Sequence, residues 1–307
     1  MGYYTQRHGM RKSIEKTYDI SIESYALLFD YCRQYDNNIA WKYPEQCGDG
    51  QGCCGLDVQR FELDLKYEIP SLFRDEHGRI VMPVIHRNVF DPGEKTDEYD
   101  QYALFDLIEF YAQNSRDVIV GSFHSYYGHH HLACKDTNEV FLQFQKGIND
   151  IFTKTGLLYR LNDDEEVERI FEYTPLTGET ETAIATVAES GTRQLLNEAI
   201  SIHKSPFPNA PRDAAEKIWD ALERLKTYYP ALDKKASASK IVNDMAGGQA
   251  DFATLFDTEF VILTKIGNDF RIRHHETNKI DITDVRHYDY FFNRCLSLIA
   301  LAIQYLK

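Results

Sequence analysis

The sequence predicts an α+β protein in two parts: a mixed α/β domain over residues 1–179 and an all-helical bundle over 180–307. Three observations carry this. Up to residue 171 short strand-like stretches lie between helical ones, whereas beyond 186 every apolar repeat has helical spacing. Between them, EYTPLTGETET (172–182) has the Pro, Gly and Thr content of a linker. Charge also divides there. The chain holds 34 Lys+Arg against 48 Asp+Glu, a formal net charge of −14. Residues 180–307 carry 16 and 17 of these, a net of −1, which leaves −13 to residues 1–179.

Taken in order, ISIESYALLFDYCRQY (20–35) reads as a helix. LDVQRFELDLKYE (56–68) partly alternates and reads as a strand, and RIVMPVI (79–85) as a second. Residues 97–118 form a helix with Tyr102, Phe105, Ile108 and Ala112 on one stripe. Residues 138–156 form another, with Phe141, Phe144, Ile148 and Ile151 in step and Gly156 placed to end it. Two short strands around the acidic loop NDDEE follow, within 156–171. The second part has helices at 189–205, 211–229, 237–248, 251–270 and 284–306, with Pro211 suited to a first turn. Ile218, Trp219, Leu222 and Leu225 have the spacing of a core or partner face.

A hydrophobic content of 43% with 13% aromatics suits a folded globular chain. The acidity of residues 1–179 makes that part a poor candidate for non-specific nucleic-acid binding, most of whose affinity comes from neutralising phosphates. No apolar leader is visible, and the longest apolar run, CLSLIALAI (295–303), is too short to span a bilayer. A cytoplasmic protein with no membrane partner is expected. Six cysteines are too few for a disulfide scaffold, and Cys32 and Cys295 read as core residues.

The candidate site is NDFRIRHHETNK (268–279), at the end of the fourth helix of the bundle. Phe252, Leu255, Phe256, Leu263, Ile266 and Phe270 form one apolar stripe on that helix. If it continues past Phe270, His274 joins the stripe, Arg273 sits at its edge, and Arg271 and His275 share a neighbouring face. One reading is structural: cations near a helix C-terminus, paired with Asp269, Glu276, Asp281, Asp284 or Asp289. The other is a phosphodiester site. Arg offers fixed donors to phosphate, and His exchanges protons near neutral pH. Together they cleave RNA without a metal if a base activates the 2′-hydroxyl. Arg271, Arg273, His274 and His275 then carry the chemistry, with Asn268 and Glu276 orienting them.

Three stretches carry a family likeness: AAEKIWDALERLKT (214–227), EFVILTKIGNDFRIRHHE (259–276) and HYDYFFNRCLSLIALAI (287–303). With their helix order, the C-terminal part resembles a HEPN domain, a helical bundle with an Arg/His motif near its last long helix. The whole chain resembles bacterial abortive-infection proteins of the AbiJ type. The resemblance implies antiphage defence or toxin-like action, a homodimer through the C-terminal helices, and a phage or host protein trigger at the N-terminal domain. The spacing differs from the family's usual one: only three residues separate Arg271 from His275, and two separate Arg271 from His274. The alternative is therefore a non-catalytic bundle for binding or dimerisation, with the cluster as an ion-pair knot. For dimerisation, Tyr290, Phe291, Leu298 and Leu301 lie off the main stripe of the last helix, formed by 285, 288, 292, 295, 299 and 302.

Two other stretches hold potential ligands. CGDGQGCCG (47–55) and HSYYGHHH (124–131) read as glycine-bearing surface loops. Cys47, Cys53, Cys54 and His129–His131 would be the donors of a site made between them, but their linear spacing is not a usual zinc pattern. No metal and no cofactor are expected. GDGQG lacks the GK[ST] ending of a phosphate loop, and DDEEVER (163–169) reads as a charged hairpin tip.

Overall fold

The computed structural model describes residues 3–10, 12, 14–87, 94–172, 174–272 and 278–306. The chain is α+β and divides into two compact units, Met1–Ile170 and Phe171–Lys307. No described helix is long and apolar enough to cross a membrane.

The first unit contains helices α1 (Tyr4–Arg7), α2 (Ile22–Arg33), α3 (Val58–Glu68), α4 (Gln101–Asn114) and α5 (Val140–Thr155). Its strands are β1 (Pro44–Gln46), β2 (Cys53–Leu56), β3 (Ile85–Arg87), β4 (Glu94–Thr96), β5 (Val118–His124), β6 (His129–Cys134), β7 (Tyr159–Leu161) and β8 (Val167–Arg169). Leu28 of α2, Ile108 and Tyr111 of α4, and Phe144 and Ile148 of α5 are fully buried together. Ser21, Asp57 and Asp100 cap α2, α3 and α4 by accepting backbone N–H bonds from Ser24, Arg60 and Tyr102. Gly156 ends α5 at φ 80°, as its position predicts. Four strands form one antiparallel sheet in the order β1-β2-β6-β5.

Three expectations in this unit need correction. Residues 58–68 form a helix, not a strand: Asp57 caps it, Phe61 and Leu65 face the core one turn apart, and Leu63 is exposed. The stretch 79–85 becomes a strand only at Ile85, because Pro83 brings no ladder donor. The histidine-rich stretch is a loop only at 125–128; His124 ends β5 and His129–His131 open β6, on the two flanks of one hairpin.

The second unit contains α6 (Gly178–Ala185), α7 (Ser190–Lys204), α8 (Ala210–Leu225), α9 (Lys234–Ala246), α10 (Ala250–Asp269) and α11 (Val285–Ile303). Its core gathers Ile218, Trp219, Leu222 and Leu225 of α8, Leu263 of α10, and Phe292, Cys295 and Ile299 of α11. The expected boundary at 179/180 moves to 170/171. Part of the expected linker is α6, capped by Thr177, and Thr174 Oγ1 bonds Asn293 Oδ1 at 2.9 Å. Limited proteolysis should therefore yield a stable helical fragment beginning near residue 171. Mass spectrometry of the fragments checks this, and a first cut inside α6 would contradict it.

The apolar stripes also differ from expectation. On α10, Phe252 and Leu255 are exposed, while Phe260, Leu263 and Gly267 are buried. On α11, Phe291 and Leu298 are buried, so of the four residues expected to be spare, Tyr290 is the most open.

Candidate functional site

α10 stops at Asp269 because Phe270 turns extended, with φ −96° and ψ 151°. This turn lets Ile272 enter the bundle core, where it is fully buried. Phe270 pairs in parallel with Ile280, and Arg271 N–H donates to Ile280 O at 2.8 Å. The expected continuation of the helix past Phe270 is thus corrected: Arg271 and Ile272 leave the helix, and Ile272 takes an inward position. Arg273, His274, His275 and Glu276 lie outside the described residues.

Asn268 and Arg271 are described. Asn268 is exposed on the last turn of α10, and its carbonyl accepts a bond from Lys279 Nζ. Arg271 Nη1 donates to Asp281 Oδ1 at 3.1 Å, while its Nε is buried with no hydrogen-bond partner among the described residues. Asp281 is 65% exposed, so this pair contributes at most about 1 kcal/mol. Burial raises the Tyr288 phenol, and the charges of Arg212, Asp281 and Arg271 all act on it. Arg212, from the start of α8, and Arg271 are thus both cations close enough to act on Tyr288.

A cleft of about 560 Å³ includes Asn268 and is lined by α10, α9 and the end of α8. Lys226, Lys234, Lys235 and Lys265 line it against two acids, Asp257 and Asp269, over an apolar floor of Phe260 and Val261. Glu223 anchors two of the lysines. Lys234 Nζ donates to its Oε2 at 2.8 Å, and Lys226 donates to its Oε1 and to Thr264. Burial works to raise Glu223, but these bonds outweigh it and hold the carboxyl below its usual range. Lys235 and Lys265 are exposed and have no ion-pair partner among the described residues.

A second constellation lies in the first unit. The ligand atoms of Cys47, His124, His129 and His131 all lie within 4.8 Å of one another. β6 alternation puts His129 and His131 on one face, while His130 turns away and its Nδ1 contacts Gly121 O at 2.9 Å. His124 lies directly across the hairpin from His129. Cys47 follows β1, and its N–H bonds Gly52 O at 2.8 Å. Its Sγ stands 3.5 Å from His124 Nδ1, which is also 3.3 Å from Asp49 Oδ2. Burial pushes the Cys47 thiol up; a bond from that thiol is the first cause holding Asp49 below the usual carboxylate range. Linear spacing argues against a metal, but the sheet sets these distances instead. Of the donors read from sequence, Cys47, His129 and His131 converge. Cys53 and Cys54 do not; their thiols donate to Gly55 O and Glu45 O. His124 completes the set. Its signal is legible afterwards: alternating residues on both sides of a glycine-bearing turn, with histidines two apart.

No protein-family profile, curated protein or solved structure matches the chain.

Proposed function

We propose that the second unit is a HEPN-like bundle that binds and cleaves RNA without a metal, in an antiphage or toxin-like role. The observation that supports this best is the lysine-lined cleft. In a chain of net charge −14, four lysines gather around one cleft that reaches Asn268, where the Arg/His segment starts. Phosphodiesters are the ligands that such a local surplus of cations favours. In this reading Lys235 and Lys265 hold the backbone phosphates. Arg271 and Arg273 stabilise the charge that develops at the scissile phosphate. His274 and His275 take the 2′-hydroxyl proton and return one to the leaving 5′-oxygen. Asn268 and Glu276 orient them, and the acidic first unit meets a phage or host trigger.

RNA integrity in cells overexpressing the chain tests cleavage. Degraded RNA with the wild type and intact RNA with His274→Ala are expected; intact RNA with both would end the ribonuclease reading. The Lys235→Ala/Lys265→Ala double variant should flatten the slope of log affinity against log salt for single-stranded RNA by about 1.4. An unchanged slope would remove the cleft from the RNA path.

The Arg271–Asp281 pair favours a second reading, a non-catalytic bundle with the segment as an ion-pair knot. Under it, Arg271→Ala lowers the melting temperature and leaves RNA untouched. In either reading a homodimer forms through the C-terminal helices. Leu255 and Ile262 of α10, exposed seven residues apart, supply its apolar surface, with Phe252 nearby. Leu255→Lys should then convert the dimer into a monomer in sedimentation velocity.

A further inference from the structure

We propose that Cys47, His124, His129 and His131 form a zinc site that staples the loop after β1 to the β5–β6 hairpin. The inference concerns the first unit alone and stands apart from any action on RNA.

Distance comes first. Zn–S and Zn–N bonds of about 2.3 and 2.0 Å place tetrahedral donors about 3.3–3.7 Å apart. Cys47 Sγ and His124 Nδ1 already stand at 3.5 Å, and no pair of the four donors exceeds 4.8 Å. The ring centroids of His124, His129 and His131 lie 5.2–5.9 Å from one another. Side-chain rotations that carry the donor atoms inward by up to about 1 Å close such a shell.

Satisfaction comes second. His129 Nε2 and His131 Nε2 are both buried, and neither has a hydrogen-bond partner among the described residues. A buried polar atom left so costs free energy, and each such case needs a cause. Two orphaned imidazole nitrogens on one face of one strand, converging with a cysteine sulfur, have a shared cause in a cation between them.

The third argument is mechanical. Ile119, Val120, Phe123 and Tyr126 of the β5–β6 hairpin are all exposed, so apolar burial does little to hold it. Its register with β2 rests on the pair Cys53↔Leu132. A two-stranded hairpin is marginal on its own in water, and small assemblies lacking core area are commonly held by disulfides or metals. Tyr127 closes the site from outside: it packs on His124 and His129, and a Cβ at Gly48 would stand 2.7 Å from its ring.

The donor set decides the metal and its role. One thiolate with three imidazoles suits zinc, and four protein donors fill a tetrahedral shell, leaving no position for a reacting water. The site is structural. Zinc takes the thiolate, so binding releases the Cys47 proton to solvent. Asp49 Oδ2, 3.3 Å from His124 Nδ1, adds a negative charge beside the dication.

The test uses the full chain, loaded with excess zinc and desalted. Elemental analysis should find about one zinc per chain, because the described residues offer one four-donor shell to fill. Cys47→Ser and His131→Ala should each weaken zinc binding by about 100-fold or more, since loss of a mere outer partner already costs 10–100-fold. Cys53→Ser should retain the metal. Zinc absent from the wild type, or retained undiminished in both ligand variants, overturns the proposal. If those variants fold poorly, cobalt bound to the wild type decides. A thiolate-to-cobalt charge-transfer band with intense tetrahedral ligand-field bands supports the site, and their absence refutes it.

Discussion

Gly267→Ala is expected to destabilise the bundle by about 2 kcal/mol, and Gly267→Val by about 3 kcal/mol or more. Helix propensity alone points the other way, since Ala in a helix interior is favoured over Gly by about 1 kcal/mol. The tertiary contact decides the sign. Gly267 is buried on α10, and a Cβ there would lie 1.9 Å from Trp219 Nε1 and 2.3 Å from Cδ1. That is deep inside van der Waals contact, and Trp219 sits among Ile218, Leu222 and Leu263 with no room to retreat. The same geometry predicts strong coupling. Trp219→Phe should cost clearly less in the Gly267→Ala background than in the wild type, with an interaction energy of about 1–3 kcal/mol. Urea unfolding of the four proteins measures it. Additive costs would mean that the indole does not press on Gly267.

Glu189→Ala is expected to cost about 2 kcal/mol at neutral pH and much less at pH 3. Glu189 caps α7, accepting from Gly191 N at 3.1 Å and Thr192 N at 2.6 Å. Arg224 reaches it from α8, with Nη2 at 2.8 Å from Oε1 and Nε at 3.3 Å from Oε2. The Arg224 bond is the first cause holding this carboxyl down to about 2. The folded value lies below the unfolded one of about 4.5. Its stabilisation is therefore complete above pH ~4.5 and is lost as pH falls from there toward ~2. Taken at face value the shift is worth more than 3 kcal/mol. Arg224 is 52% exposed, however, and water screens the pair, so about 1–2 kcal/mol is the expected pH-dependent share. Stability curves for wild type and variant should converge on acidification; parallel curves would refute the assignment.

How much was legible from sequence follows from how local each determinant is. The helices of the second unit were legible because apolar period, Pro211 and the paired glycines after α9 act within a few residues. Gly156 was legible for the same reason. The stretch 56–68 was misread because Phe61, Leu63 and Leu65 alternate; only the cap at Asp57 and the exposure of Leu63 separate the two periods. The inward turn of Ile272 was hidden because it depends on a bridge to Ile280. The lysine cleft draws on three helices, and the Cys/His set on two hairpins far apart in the chain. No short pattern encodes either, since strand pairing and helix packing create the proximity.

The bridge between Phe270 and Ile280 has a consequence for how this protein can vary. It fixes both ends of the Arg/His stretch, with Ile272 anchored in the core on one side and Ile280 tied to Asp269 on the other. A tether closed at its base tolerates change between its ends: doubling its length adds only about 0.6 kcal/mol of closure entropy. The closed base belongs to the bundle itself, and it holds whatever sequence joins Ile272 to the residues before Ile280 at a small entropic cost.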